Sequence, residues 1–367
     1  MKRLFGVMIL LGIAAFAQQP SEIPFESVPN LLKLPADLHL GEASGVAVNT
    51  KGHIFVYSRG NSTGPAYAAT ASQLLEFGPD GKYLREIGHN LYAWAFAHAV
   101  RTDKDDNIWA IDKGTDMIIK FNPEGRVVMV FGRKKEASDD GAEAWKRVTP
   151  PRPPVDGQFR QPTDVTWDTQ GNSFISDGYI NSRVAKFDKN GAWVKSFGVP
   201  NSSRGLSTTP GELNTPHSIA ADAKGNIYVA DRGNRRIQVF DPDGNFERQI
   251  HIDVPAPPGL HPWMGNMFTQ EQIDGQNGAP WAICITPGPT QYLYSADAYP
   301  GRVYKLSLDG QVLGYVGKSG RQMKEFGWIH EIACPAENTV LVGEILNWRV
   351  QKLLLHPGKS STATGGR

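Results

Sequence analysis

Cysteine is nearly absent. Cys284 and Cys334 are the only two in 367 residues, so a disulfide framework is not what holds this fold together, and their spacing leaves open whether they pair. An excess of charge of either sign is missing too: 38 Lys and Arg face 37 Asp and Glu, a formal net charge of +1. That balance removes the electrostatic reason to expect nucleic acid or an anionic membrane as a partner. The apolar run near the N-terminus covers only residues 4–16, too short to span a bilayer, so no stable membrane insertion is expected. Amphipathic helical spacing is nowhere sustained, and no motif for a covalent nucleophile occurs.

What is present is repetition. Residues 216–250, PHSIAADAKGNIYVADRGNRRIQVFDPDGNFERQI, form the clearest copy, and five others follow the same plan of short apolar strands separated by Gly, Asn, Asp or Pro. Those separators supply turn geometry. Six copies of four strands predict an all-β fold, a six-bladed β-propeller. The blades are read at 44–88, 97–132, 161–198, 216–250, 280–317 and 328–355. The last is one strand short, and residues 31–40 are expected to supply the strand that closes the ring. Nine Trp and sixteen Phe offer large apolar area for packing between blades. Residues 133–154, 201–210 and 255–278, rich in Pro, Gly and polar groups, read as loops inserted between blades, where binding surfaces commonly sit.

The flanks read differently. Lys2 and Arg3 precede the apolar run and Ala15-Phe16-Ala17 fits a cleavage site, so residues 1–17 are expected to be a signal peptide. The mature chain would then begin near Gln18 as an exported, periplasmic or extracellular monomer, with the propeller over 18–357. Residues 358–367 are rich in Ser, Thr and Gly and are expected to be a disordered tail.

Three histidines occupy one register of the repeat. His98 precedes Asp112, His217 precedes Asp231 and His330 precedes Glu344, each by fourteen residues. They belong to repeats two, four and six, while Ser44, Thr163 and the Trp281/Ile283 region hold the equivalent place elsewhere. Alternate blades of a six-bladed ring stand about 120° apart, so these imidazoles are expected to converge on the channel axis. A lone histidine before a strand is most often a turn or core residue; three in alternate register match a zinc site with one open position. Arg59, Lys113 and Arg232 follow the recurrent acidic position in repeats one, two and four, and Tyr179 lies one place further in repeat three. Two Arg beside a divalent cation make a receptor for a carboxylate, and a Tyr there is suited to act as a base.

The repeats resemble NHL repeats, and the whole chain resembles the peptidyl-α-hydroxyglycine α-amidating lyase, the second catalytic domain of peptide-amidating enzymes. The matching text is SGVAV with SRG downstream, AHAVRTD, QPTDV, SDGYINSR, PHSIA with ADRGNRRIQVF, and IHEIA, spread over five of the six repeats. The resemblance implies zinc on His98, His217 and His330, substrate-site arginines at Arg59 and Arg232, and a catalytic tyrosine at Tyr179. It also implies a structural calcium held by the Glu331 carboxylate and the carbonyls of Val46 and Val100. Where the family usually has Asp and Met this chain has Glu331 and Trp328, so Trp328 is expected in the wall of the substrate pocket. The family's disulfide cysteines are missing, with Ile180 beside Tyr179.

The implied reaction splits peptidyl- or N-acyl-α-hydroxyglycine into an amide and glyoxylate. A separate monooxygenase is expected to supply the substrate, since no copper-site arrangement of His and Met accompanies the repeats; scavenging of small carbinolamides is the variant of this reading. Two other classes compete with it. One is a non-catalytic NHL propeller that binds protein or carbohydrate. The other is a metal-dependent propeller lactonase or hydrolase, which would favour carboxylates over three His.

Overall fold

The computed structural model describes residues 20–60, 72–136, 152–202, 205–257, 278–356 and 358. The expected signal peptide and nearly all of the expected tail lie outside them, as do residues 137–151, 203–204 and 258–277 of the three inserted loops.

Turn chemistry sets the strand rhythm. In repeat four, Asp222 Oδ1 accepts the backbone N–H groups of Lys224 and Asn226 at 2.9 Å each, and Gly225 takes the left-handed φ of +89° that the reversal requires. Asp168 with Asn172 and Asp241 with Asn245 repeat the device. Between such turns lie β-branched and aromatic strands. Ile227–Asp231 is buried throughout, whereas the outer strand Val127–Phe131 is largely exposed.

Six four-stranded antiparallel sheets result, arranged as the blades of a propeller. Blade one comprises Glu42–Val48, Ile54–Arg59, Ser72–Phe77 and Tyr83–Ile87. The innermost strands of blades two to five are Ala97–Thr102, Asp164–Trp167, Pro216–Ala221 and Ala282–Ile285, each followed outward by three more. Blade six runs Ile329–Ala336, Thr339–Glu344, Arg349–Leu355 and, as its outermost strand, the N-terminal Phe25–Ser27. Phe25 pairs with Leu355 and Ser27 with Leu353, so chain start and chain end share one sheet. Among the described residues, the remaining regular element besides strands is a single 3-10 turn, Arg232–Asn234.

The ring closure corrects the expectation for residues 31–40. Pro35 lacks the N–H a ladder needs, and the chain turns there, Leu38 N–H donating to the Pro35 carbonyl at 3.1 Å. The leucines 31, 32, 34, 38 and 40 pack instead on the core beside blade one. Elsewhere the blades stack through aromatic pairs such as Trp109 and Trp167, with ring centroids 5.3 Å apart. Cys284 and Cys334 form a disulfide between the inner strands of blades five and six.

The recurrent acidic residue has a structural task. Asp112, Asp177, Asp231 and Glu344 accept backbone N–H groups from Ala95, Arg160, Asn214 and Gly327, in the loops that lead into their own blades' inner strands. Arg183, Arg236 and Arg349 neutralise three of them. In blade one, Ser58 serves, accepting from Gly41 N–H. Fixing that corner aims the side chain after it, at Arg59, Lys113 and Arg232, into one cavity at the channel mouth.

Candidate metal centre and substrate pocket

Each of the three histidines is the extra residue of a β-bulge. Ala97 pairs with Asp112 and Ala99 with Ile111, so His98 is skipped; His217 and His330 are skipped in the same way. A bulge turns a side chain out of the regular pleat, and here it turns all three toward the axis. Their ring centroids lie 4.6–5.0 Å apart, and one nitrogen from each falls within 4.8 Å of the other two.

The tautomer follows from the neighbours. Nδ1 of His98, His217 and His330 lies 2.7 Å from the carbonyl of Thr163, Trp281 and Ser44 respectively. A carbonyl only accepts, so each Nδ1 is the donor and each Nε2 presents its lone pair to the axis. The three carbonyls belong to the intervening blades, at the positions equivalent to the histidines. Burial, reinforced by nearby cations, holds all three imidazoles well below their usual pKa. Three neutral, oriented imidazoles with carbonyls behind them fit a tetrahedral divalent ion with one position open.

Tyr179 caps the triad. Its hydroxyl stands 3.1 Å from His217 Nε2 and 3.4 Å from His98 Nε2. Burial acts to raise the phenol's pKa, but Lys113, Arg232 and Arg59 outweigh it and bring it below the ordinary value. Lys113 Nζ sits 3.8 Å from the centre of the Tyr179 ring, and the Arg232 guanidinium 4.1 Å from that of Trp281. Arg59 is braced by Glu42 at 2.6 Å and by the Ala97 carbonyl at 2.9 Å. These groups, with Trp328, Phe96 and Trp348, line a cavity of about 710 Å³ above the triad.

The NHL repeat family profile matches residues 213–240. The Xenopus laevis peptidyl-glycine alpha-amidating monooxygenase A is 27% identical over 84% of this chain, which spans 31% of that relative's length. The Drosophila melanogaster peptidyl-alpha-hydroxyglycine alpha-amidating lyase 1 is 24% identical over 87% of this chain and 58% of its own. This chain is a six-bladed β-propeller with an NHL repeat at residues 213–240, and it resembles the peptidyl-α-hydroxyglycine α-amidating lyases. Its fold also matches the virginiamycin B lyase of Staphylococcus aureus, with a TM-score of 0.55, 12% identity and coverage of 91% of this chain and 100% of that one.

The residues expected to hold calcium come together beside Arg101. Glu331 Oε2 accepts the N–H groups of Val46 at 2.9 Å and Val100 at 3.1 Å. Its Oε1 lies 3.0 Å from Arg101 Nε, an ion-pair distance without a directed hydrogen bond, because that N–H points to Asp164 Oδ1 at 2.8 Å. A cation already neutralises this carboxylate, so the donor set does not fit Ca²⁺ without displacing Arg101.

Sequence reasoning placed the triad, Tyr179, Arg59, Arg232 and Trp328 in one region, and the structure brings them together. Lys113, which follows the acidic position as the two arginines do, lines the same cavity. Trp281 enters the sequence register only as part of the Trp281/Ile283 region, although its carbonyl orients His217 and its ring flanks Arg232. Arg101 was missed. The signal was a charged residue in the inner strand of AHAVRTD, where an apolar or small residue suits burial better.

Proposed function

We propose that this protein is a zinc-dependent lyase that cleaves peptidyl- or N-acyl-α-hydroxyglycine to an amide and glyoxylate. The observation that carries this reading is the meeting of three Nε2 lone pairs beneath the Tyr179 hydroxyl, at a cavity that Tyr179, His330, Arg59 and Arg232 line. Named lyases among the relatives support it.

A zinc ion held by His98, His217 and His330 would supply Lewis acidity that makes a hydroxyl beside it easier to deprotonate. Arg232 and Arg59 pair with the substrate carboxylate and fix the α-carbon under Tyr179. The phenolate of Tyr179, favoured by the cations around it, takes the hydroxyl proton. The C–O bond then gains double-bond character, the C–N bond breaks, and the departing amide nitrogen takes a proton back from Tyr179. No net proton, water or electron is consumed. Trp281 and Trp328, 5.0 Å apart edge to face, offer an apolar wall for the acyl portion and keep bulk water from the proton transfer.

The substrate must come from an enzyme that hydroxylates the α-carbon of a terminal glycine, and an exported propeller of this kind would meet it outside the cytoplasm. The direct test is metal analysis of the purified protein combined with glyoxylate release from a simple N-acyl-α-hydroxyglycine. Release that tracks zinc content is expected. A zinc-loaded protein that releases no glyoxylate from such substrates rules the reading out.

A further inference from the structure

Arg101 reaches from the inner strand of blade two to the inner strands of four others. Its Nε and Nη2 make a bidentate pair with Asp164 of blade three, at 2.8 and 2.6 Å. Nη2 also lies 3.2 Å from Ser218 Oγ of blade four and 3.2 Å from the Ile283 carbonyl of blade five, and Nη1 donates to the Ile332 carbonyl of blade six at 2.9 Å. Glu331, beside Nε, extends the contact to Val46 of blade one. One guanidinium and the carboxylate it pairs with thereby join all six blades on the axis.

The partners also bind one another. Ser218 Oγ donates to Asp164 Oδ2 at 2.8 Å and accepts from Ile283 N–H at 3.1 Å, and Asp164 also accepts the N–H groups of Val165 and Ile219. Asp164 and Glu331 are 1% and 2% exposed, and two carboxylates buried this deeply demand a cation. Burial disfavours a charged guanidinium as well, yet the two carboxylates together leave Arg101 more basic than usual. Backbone spacing is matched to this arrangement. A Cβ on Gly45 would stand 2.8 Å from both Glu331 Oε2 and Val100 N, so blades one and two close on Glu331 only because position 45 has no side chain.

We propose that Arg101 is the built-in axial cation of this propeller, taking the structural role that the resemblance assigns to calcium, so that the ring needs no calcium to close. A planar fork of five donors suits two carboxylates and two carbonyls arranged around an axis. A divalent ion would need those same oxygens turned inward. The inference is independent of the lyase reading, since it concerns how the ring is held rather than what the pocket does.

The test uses calcium content, calcium titration by calorimetry and thermal melting of the full chain. Wild-type protein is expected to carry no calcium and to show no rise in Tm on adding millimolar Ca²⁺ after chelation. Arg101→Ser is expected to melt lower by on the order of 10 °C, to bind Ca²⁺ through the freed oxygens, and to regain part of the loss. Stoichiometric calcium in the wild type overturns the proposal, as does an Arg101→Ser variant that melts like wild type or is indifferent to Ca²⁺. Should Arg101→Ser not accumulate as folded protein, Arg101→Lys decides. It keeps the charge but loses the fork, so a lowered Tm supports the proposal and an unchanged Tm overturns it.

Discussion

The hydroxyl of Tyr179 lies 3.1 Å from Nε2 of His217, on the side of the imidazole opposite the Nδ1–H that the Trp281 carbonyl holds. The phenol therefore donates to the same lone pair that a metal would use. The group proposed to handle the proton and the group proposed to hold the ion are in direct contact, and each can be altered separately.

Replacing Tyr179 with Phe removes the hydroxyl and little else from a half-buried, ring-lined position. Zinc content and melting are expected to stay near wild type, while turnover falls by about 10² to 10⁴, the usual worth of a proton-transfer group. Steady-state glyoxylate release beside metal analysis checks this. Near-normal turnover would remove Tyr179 from the mechanism.

His217→Ala deletes one of three ligands and leaves the Trp281 carbonyl without its donor. Zinc occupancy should fall sharply and turnover with it, and added zinc should not restore full activity. Unchanged zinc stoichiometry in this variant would count decisively against the triad as the site.

Arg232→Ala and Arg59→Ala are expected to weaken transition-state binding of substrates with a free carboxylate by about 2 to 5 kcal/mol where the ion pair is desolvated. Amide analogues, having no charge to pair, should be nearly indifferent. Comparing kcat/KM for both substrates on both variants separates the effects. Equal losses would leave the arginines as braces of the pocket, a role that the Glu42 contact of Arg59 already illustrates.

The depressed imidazole pKa values predict how zinc affinity responds to acid. Protons compete with the metal only for imidazoles that would otherwise be protonated. Three ordinary histidines, titrating near 6.5, would lose about a thousandfold in affinity between pH 7.5 and 5.5. Here burial lowers all three well below that value, so protons compete less and the loss should fall well short of a thousandfold. Chelator competition, corrected for protonation of the chelator itself, measures it; a thousandfold loss would show that the imidazoles titrate as if exposed.

The repeat signals were legible because they are local. The turn Asp222-Ala223-Lys224-Gly225-Asn226 carries its own hydrogen bonds and positive φ, and copies of it mark off strands without knowledge of the rest of the chain. The histidine register was readable for the same reason, since each bulge sits opposite its own blade's acidic residue. Residues 25–27 and 31–40 were harder to tell apart. Both carry apolar residues, and only pairing with Leu353 and Leu355, more than three hundred residues away, selects the first.

The sequence by itself thus determined the all-β repeat, the count of blades and which side chains share one height around the axis, because a period of strands and turns is written in neighbouring residues. The tertiary structure alone decided what meets on that axis. Arg101 is only a misplaced charge in a strand until closure of the ring brings Asp164, Ser218, Ile283 and Glu331 around it, and Cys284 reaches Cys334 only when blades five and six stand side by side. These contacts join residues tens to hundreds of positions apart, and their energy depends on burial and alignment that no local stretch of sequence specifies.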